Sequence, residues 1–173
     1  MNIILIGMRG SGKSTIGSML AQRLGKDFRE LDAEVEELEG MTIREMVEKH
    51  GWDYFRDRET EIARDAGKSD NAVVSTGGGV IIRMENIEAL KQNGICIYLR
   101  TPLHVLLQRI GGEASKLPRL TNETSIAEEM SKVMEGRAPR YEAAAEEIVD
   151  TEFQSVEQVV EEVLHRLQKR HIE

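Results

Sequence analysis

The chain has 173 residues, and 31 acidic against 23 basic side chains give it a formal net charge of −8. Hydrophobic residues make up 40% and charged residues 31%, a globular composition that excludes a disordered or membrane-spanning chain. So acidic a chain is not expected to bind nucleic acid, and no apolar run approaches the roughly 18 residues that cross a bilayer. A single cysteine, Cys96, excludes an internal disulfide and agrees with a reducing compartment. These features predict one cytoplasmic domain, residues 1–173, that handles small molecules or protein partners.

Apolar runs bounded by turn signals predict strands at residues 2–6, 72–75 and 95–99. Two further short strands are suggested at residues 28–31 and 147–150, which makes five in all. Between them, apolar residues recur at helical spacing. The helices expected there cover 14–24, 33–68 with breaks at Gly40 and Gly51, 84–93, 102–110, 125–135, a separate helix containing RAPRYEAAA, and 155 onward. Strands that alternate with helices predict an α/β fold with a parallel sheet. Residues 111–124 show no periodicity and predict a mobile loop.

The turn after the first strand reads GMRGSGKS and matches the phosphate-loop pattern G-x-x-x-x-G-K-[ST] at every fixed position. Its glycines let backbone N–H groups curl around a polyphosphate, and the helix that follows adds the positive end of its dipole. Lys13 is expected to reach the outer phosphates, and the Ser14 hydroxyl to bind Mg²⁺. A plain glycine turn would not require every fixed position, so the loop predicts a nucleoside triphosphate site.

The class of phosphate-loop protein is narrowed by what the sequence lacks. It has no Asn-Lys-x-Asp motif, which GTPases use to read their base, and no central apolar strand ends in the aspartate typical of motor and AAA-type ATPases. A carboxylate for magnesium must then lie elsewhere. Glu30 and Asp32 flank Leu31 at the end of the second predicted strand, where alternation places both side chains on one side. The pattern alone leaves open whether they serve a metal or are solvated acids.

Five ordered segments resemble the shikimate kinase family nearly end to end: GMRGSGKST; ELDAEVEELEGMTI; YFRDRETE; STGGG; and the series RIGG, PRLT and RAPRYEAAA. The resemblance implies a three-layer phosphate-loop kinase fold, with a five-stranded parallel sheet of order 2-3-1-4-5 flanked by helices. It also implies a substrate-binding helical insert at about 32–62 and a mobile lid at about 111–124. The implied activity is ATP-dependent phosphorylation of the shikimate 3-hydroxyl, giving shikimate 3-phosphate and ADP in chorismate and aromatic amino-acid biosynthesis. Mg²⁺ is the implied cofactor, ATP and shikimate are the partners, and a monomer is expected.

The resemblance also assigns roles to the residues that match the family's motifs. The residues implied to bind ATP are Arg9, Gly10, Ser11, Gly12, Lys13, Ser14, Thr15, Arg109 and Arg119. Those implied to bind shikimate are Asp32, Arg56, Gly77, Gly78, Gly79 and Arg137. The implied catalytic groups are Lys13, Asp32 and Arg119, and Asp32 would hold the hydroxyl that receives the phosphoryl group. The implied metal contacts are Ser14, Glu30 through a water, and Asp32.

The arginines are the most informative of these assignments. Arg56 and Arg137 would hold the substrate carboxylate, because the arginine fork donates two parallel hydrogen bonds to a planar carboxylate. Glu59 would position Arg56, and Arg109 would contact the adenine. The glycines at 77–79 would bring backbone amides against the ring. Taken without the family pattern, Arg56 lies in the alternating charges of RDRETE, and an exposed helix position with salt bridges is the favoured interpretation.

The sequence departs from the family pattern at three places. Glu30 stands where the family has the first aspartate of Asp-x-Asp, and Pro118 precedes Arg119 where the family has Arg-Pro-Leu. The loop after Asp150, Thr-Glu-Phe-Gln, lacks a basic residue that the family often has there. Two alternative functions therefore stay open at this point. One is a kinase for a related small hydroxy acid, similar to a gluconate kinase, and the other is a nucleotide-binding regulatory module without catalysis.

Overall fold

The computed structural model describes residues 1–111, 118–122 and 125–172. Its strands are β1 (Asn2–Ile6), β2 (Asp27–Glu30), β3 (Ala72–Ser75), β4 (Gly94–Arg100) and β5 (Glu147–Asp150). They form one parallel sheet in the order β2-β3-β1-β4-β5, with β1 paired to both β3 and β4. The predicted five-stranded sheet and its order are confirmed.

Helices cover both faces of this sheet. They are α1 (Lys13–Leu24), α2 (Leu31–Glu39), α3 (Ile43–His50), α4 (Trp52–Lys68), α5 (Met84–Lys91), α6 (Leu103–Ile110), α7 (Ile126–Ala144) and α8 (Val156–Lys169), with a short 3₁₀ helix at Val80–Ile82. The predicted breaks at Gly40 and Gly51 are confirmed, since both glycines have positive φ where a helix ends. Thr42 and Glu45 form a capping box that begins α3. None of the helices in the described ranges is long and apolar enough to cross a membrane.

The core has one layer on each face of the sheet. Ile4 and Ile6 of β1 lie in a hydrophobic cluster with α4, α5 and α7, whereas Ile3 and Leu5 lie in a second cluster with α1 and α8. All four side chains are fully buried, as expected for a central strand of a parallel sheet. The arrangement is the three-layer α/β fold that the sequence predicts.

Helices α2, α3 and α4 share a small hydrophobic cluster of their own, built on Val35, Met46 and Phe55. Helix α4 also contributes Ala63 and Ala66 to the main core. Its first half therefore carries the small cluster, and its second half fixes that cluster to the sheet. These helices coincide with the predicted insert at about 32–62, whose role in substrate binding stays a prediction.

The region after the described part of the predicted lid differs from expectation. One helix, α7, covers the stretch where two helices were predicted, and Pro139 lies inside it. Proline forfeits one backbone hydrogen bond, but Met130 before it and Tyr141 and Ala144 after it are buried in the same core. Packing on both sides keeps the helix continuous. Most of the lid prediction falls on residues 112–117 and 123–124, outside the described residues.

Candidate active site

The phosphate loop joins β1 to α1 at the carboxyl edge of the sheet. Gly10 has a φ of 82°, and a Cβ there would lie 3.0 Å from Cγ1 of Ile110, so backbone and packing both favour glycine. Beside the loop is a cavity of about 370 Å³. It is lined by Arg9, Gly10, Gly12, Lys13, Ser14, Thr15, Glu30, Asp32, Ser75, Thr76 and Gly78. Six of the predicted ATP-binding residues thus surround one space, namely Arg9, Gly10, Gly12, Lys13, Ser14 and Thr15. Ser11 is buried in the loop, and Arg109 and Arg119 lie outside the lining of this cavity.

Lys13 is held across the loop by backbone carbonyl groups. Its Nζ donates hydrogen bonds to the carbonyl oxygens of Gly7 and Met8, both at 2.8 Å. Burial lowers the pKa of Lys13 to about 8, against the opposing effect of Asp32 and with a further lowering by Arg137. The ammonium group is therefore positioned at the cavity by the protein's own backbone.

Two carboxylates enter the same cavity from the end of β2. Ser14 donates its hydroxyl hydrogen to Glu30 Oε1, and its Oγ lies 3.4 Å from the hydroxyl of Ser75. The prediction that strand alternation aligns Glu30 with Asp32 is wrong, because β2 ends at Glu30 and Asp32 lies in the first turn of α2. Both still line the cavity, since the chain turns directly from strand into helix. Within the described ranges, no group of three metal-ligating side chains forms a ready-made metal site.

Asp32 is a buried carboxylate whose pKa is shifted well above its usual value. Burial raises its pKa to about 6, and Glu59 adds to that effect, while Lys13 and Arg56 oppose it. Its Oδ1 is buried and accepts no hydrogen bond from any residue that the structure describes. A Cβ on Gly77 would lie 2.4 Å from this oxygen, so only glycine leaves room for it. An unpaired carboxylate oxygen is thus available to a hydroxyl of a bound molecule.

A larger cavity, of about 720 Å³, lies on the other side of Asp32. Arg56 is only 8% exposed, and its Nη1 donates a hydrogen bond to Glu59 Oε2 at 2.8 Å. The guanidinium also lies 5.0 Å from the centroid of the Trp52 ring. Arg56 is therefore part of a buried wall and not an exposed helix position.

Arg137 lines the same cavity from α7. Burial holds the pKa of its guanidinium below the usual range, although Tyr141 opposes the shift. The backbone of Gly77, Gly78 and Gly79 completes this side. A Cβ on Gly79 would lie 2.2 Å from Arg56 Nη1, so the glycine makes room for the arginine. Two cationic forks and a glycine-lined wall thus face one space.

Two residues that the sequence reasoning did not select support this arrangement. Tyr141 donates its hydroxyl hydrogen to the carbonyl oxygen of Gly78 and stacks on Tyr98, with ring centroids 5.0 Å apart. Glu129 accepts hydrogen bonds from Arg9 and Arg119. Tyr141 lies four residues after Arg137 in RAPRYEAAA, so helical spacing was an available signal. No pattern in the sequence distinguishes Glu129, because several other glutamates lie near it in the same helix.

Arg109 lies on the far side of the phosphate loop. Its Nη1 donates a hydrogen bond to the carbonyl oxygen of Gly10 at 3.1 Å. With Thr15, Thr151 and Gln154 it lines a smaller cavity of about 190 Å³. This cavity shares Gly12 and Thr15 with the phosphate cavity, so the two adjoin, and the contact of Arg109 with adenine stays a prediction.

A family model described as shikimate kinase matches residues 9–168. The chain belongs to the shikimate kinase family. A shikimate kinase of Nitratidesulfovibrio vulgaris is 42% identical over 149 residues, 85% of each chain. One from Symbiobacterium thermophilum is 36% identical over 170 residues, 98% of each. The solved structure of Acinetobacter baumannii shikimate kinase in complex with shikimate superposes with a TM-score of 0.93 and 32% identity, covering 99% of this chain and 95% of that one.

These matches confirm the fold and the activity that the sequence motifs imply. This shikimate kinase is an ATP-dependent phosphotransferase of the phosphate-loop kinase fold. Its family assignment removes the support for a gluconate-kinase-like enzyme and for a module without catalysis. The roles of individual residues rest on the geometry above and are proposals below.

Proposed function

We propose that this shikimate kinase transfers the γ-phosphoryl group of ATP to the 3-hydroxyl of shikimate at the boundary between the two cavities, where Asp32 lies. The observation that carries the proposal is that Asp32 lines both the phosphate cavity and the arginine cavity. Arg9 and Gly78 are also shared by the two cavities. A nucleotide in one and an acceptor in the other would therefore meet at the unpaired oxygen of Asp32.

The larger cavity suits a small carboxylic acid. Arg56 and Arg137 supply two guanidiniums, and the Arg56–Glu59 hydrogen bond holds the first of them in place. Each fork pairs with a planar carboxylate. The glycines at 77–79 let a ring approach the backbone closely. Holding the acid at its carboxylate would direct a ring hydroxyl toward Asp32.

Transfer then requires alignment and charge more than covalent chemistry. Lys13 and Arg119 would stabilise the phosphate charge, and Arg109 would contact the adenine. The acceptor oxygen forms its bond to the γ-phosphorus as the bond to the β,γ-bridging oxygen breaks, and ADP leaves. The acceptor proton passes to Asp32, whose pKa of about 6 keeps it ionised yet basic at neutral pH.

The donors at the phosphate cavity fit Mg²⁺. The Ser14 hydroxyl and the carboxylates of Glu30 and Asp32 are oxygen ligands of the kind that Mg²⁺ prefers, and it commonly binds with one or two carboxylates, waters and substrate phosphates. Because Glu30 reaches Ser14 directly, we expect it to hold the ion through a water. When bound, the ion neutralises charge on the β- and γ-phosphates. The described residues that line both cavities belong to one chain, which supports a monomer, and the buried, free Cys96 suits the cytoplasm.

The test is ADP release from ATP and Mg²⁺ with and without shikimate, with quinate and gluconate as comparison acceptors. We expect strong stimulation by shikimate and weak or no stimulation by the other two. Stimulation by another acid alone would contradict the proposed acceptor. ATP binding without turnover of any acceptor would contradict the proposed reaction and favour a regulatory module.

A further inference from the structure

A fully buried carboxylate joins the phosphate loop to the described part of the lid. Glu129 lies in the first turn of α7, and its side chain is 0% exposed. Its Oε1 accepts a hydrogen bond from Arg9 Nη2 at 2.6 Å, and its Oε2 accepts one from Arg119 Nε at 2.7 Å. The backbone N–H of Thr121 donates to Oε2 at 3.3 Å. Both oxygens are therefore hydrogen-bonded, each to an arginine.

The surroundings keep Glu129 ionised. Burial pushes its pKa upward, but hydrogen bonds from Arg119, from the backbone of Leu120 and Thr121, and from Arg9 outweigh burial and leave the pKa below its usual value. The N-terminus of α7 adds a favourable dipole. One negative charge thus holds two guanidiniums of like charge near each other and leaves a net positive charge there.

The two arginines come from distant parts of the chain, and Glu129 fixes their relative position. Arg9 belongs to the phosphate loop and lines both cavities of the site. It also donates to the carbonyl oxygen of Pro118 at 3.3 Å and to the sulfur of Met130 at 3.4 Å. Arg9 therefore lies against α7 and against residue 118, and a change at Glu129 would remove the one carboxylate that Arg9 and Arg119 share.

We propose that Glu129 is a positioning residue for phosphoryl transfer, holding Arg9 and Arg119 as one ion-paired unit directed at the phosphates of ATP. The inference rests on the proposed function, in which Arg119 stabilises the phosphate charge. A positioned cation stabilises the transition state without reorganisation during the reaction. The competing interpretation is that Glu129 only anchors the start of α7.

The experiment compares Glu129→Gln with Glu128→Gln, which removes the same charge from an exposed neighbour in the same helical turn. We expect Glu129→Gln to lower kcat/KM for ATP by about 10- to 100-fold, because charge-assisted hydrogen bonds to both arginines are weakened. The KM for shikimate should change less than about twofold. Glu128→Gln should match the wild-type protein. A wild-type kcat/KM for Glu129→Gln would overturn the proposal.

A double-mutant cycle separates positioning from anchoring. In an Arg9→Ala, Arg119→Ala background, Glu129→Gln should lose most of its effect on kcat/KM, because its two partners are absent. An effect of full size there, with a matching fall in the thermal midpoint, would show an anchor only and overturn the proposal. If Glu129→Gln does not fold, Glu129→Asp takes its place, since it keeps the charge and shortens the reach by one methylene.

The two proposals fail in different ways. If the wild-type protein releases no ADP with shikimate, the proposed function fails, and Glu129 is then tested by the affinity for a non-hydrolysable ATP analogue. That affinity should fall about tenfold in Glu129→Gln and not in Glu128→Gln. An unchanged affinity would overturn the role of Glu129.

Discussion

Gly79→Ala tests the wall of the acceptor cavity with a single methyl group. Gly79 has a φ of −90°, which alanine adopts without strain, so the effect comes from collision and not from the backbone. The added Cβ would lie 2.2 Å from Arg56 Nη1 and 2.4 Å from its Cζ. The guanidinium must therefore retreat by about 1 Å, a displacement of a size that costs an active site roughly 100-fold.

Retreat is costly because Arg56 is enclosed. The guanidinium is hydrogen-bonded to Glu59 and lies over the Trp52 ring, and a hydrogen bond to a charged group contributes about 1.5–3 kcal/mol. Losing a contribution of that size would weaken the binding of the acceptor roughly 10- to 100-fold. We expect Gly79→Ala to lower kcat/KM for shikimate by about that factor and to leave the affinity for ATP within about twofold.

The assay is shikimate-dependent ADP release over a range of shikimate concentrations, together with ATP binding measured separately. Gly136→Ala is the matched control, because Gly136 precedes Arg137 in α7 and has nothing within 4 Å of the position of its Cβ. That variant should keep the wild-type KM and gain up to about 1 kcal/mol in stability. A normal KM for shikimate in Gly79→Ala, or an equal loss on the ATP side, would refute the placement of Arg56 beside the acceptor.

Three further predictions concern the charged groups of the site. Asp32→Asn should abolish transfer while ATP still binds. In the wild-type protein, kcat/KM for shikimate should fall about tenfold per pH unit below pH 6 as Asp32 is protonated. The pKa of Asp32 in the folded protein exceeds its ordinary value of 3.8, so the protonated form stabilises the fold at low pH and this stability is lost as pH rises through about 6. Asp32→Asn, which carries no charge, should therefore raise the thermal midpoint at pH 8. Arg137→Ala should raise the KM for shikimate about 10- to 100-fold, and a change confined to the KM for ATP would place Arg137 on the nucleotide side. Removing divalent metal with EDTA should stop transfer. Glu30→Asp should change the Mg²⁺ concentration that gives half-maximal rate more than it changes kcat. If the Mg²⁺ titration of that variant is unchanged, Glu30 does not belong to the metal site.

The sequence was sufficient for the central strands β1, β3 and β4 because each is a short buried run at a turn signal, whereas β2 (DFRE) is polar and the strand order was implied by the family resemblance. The phosphate loop was predictable because every fixed position of its pattern is present, and β1 and α1 lie where that pattern requires them. Local sequence patterns were less reliable where a strand passes into a helix. Asp32 was placed on a strand because alternation was assumed to continue past Glu30, but the helix begins at Leu31.

Tertiary contacts explain what the sequence could not predict. Two helices were predicted over the stretch that α7 covers, yet burial of Met130 on one side and of Tyr141 and Ala144 on the other keeps it a single helix. Glu129 lies 120 positions from Arg9, and no local spacing relates them. Its burial depends on how α7 packs over the phosphate loop, which is a property of the fold and not of its segment.

The separate hydrophobic cluster of α2, α3 and α4 bears on how such an enzyme changes its acceptor over evolution. Val35, Met46 and Phe55 hold these helices together without contributing to the sheet's two large clusters. Under the proposed function these helices line the acceptor cavity, so substitutions in their cluster would act first on acceptor recognition and less on the distant phosphate loop. Such an arrangement would let substrate choice diverge around a constant phosphate-transferring frame, with α4 as the element that joins the small cluster to the main core.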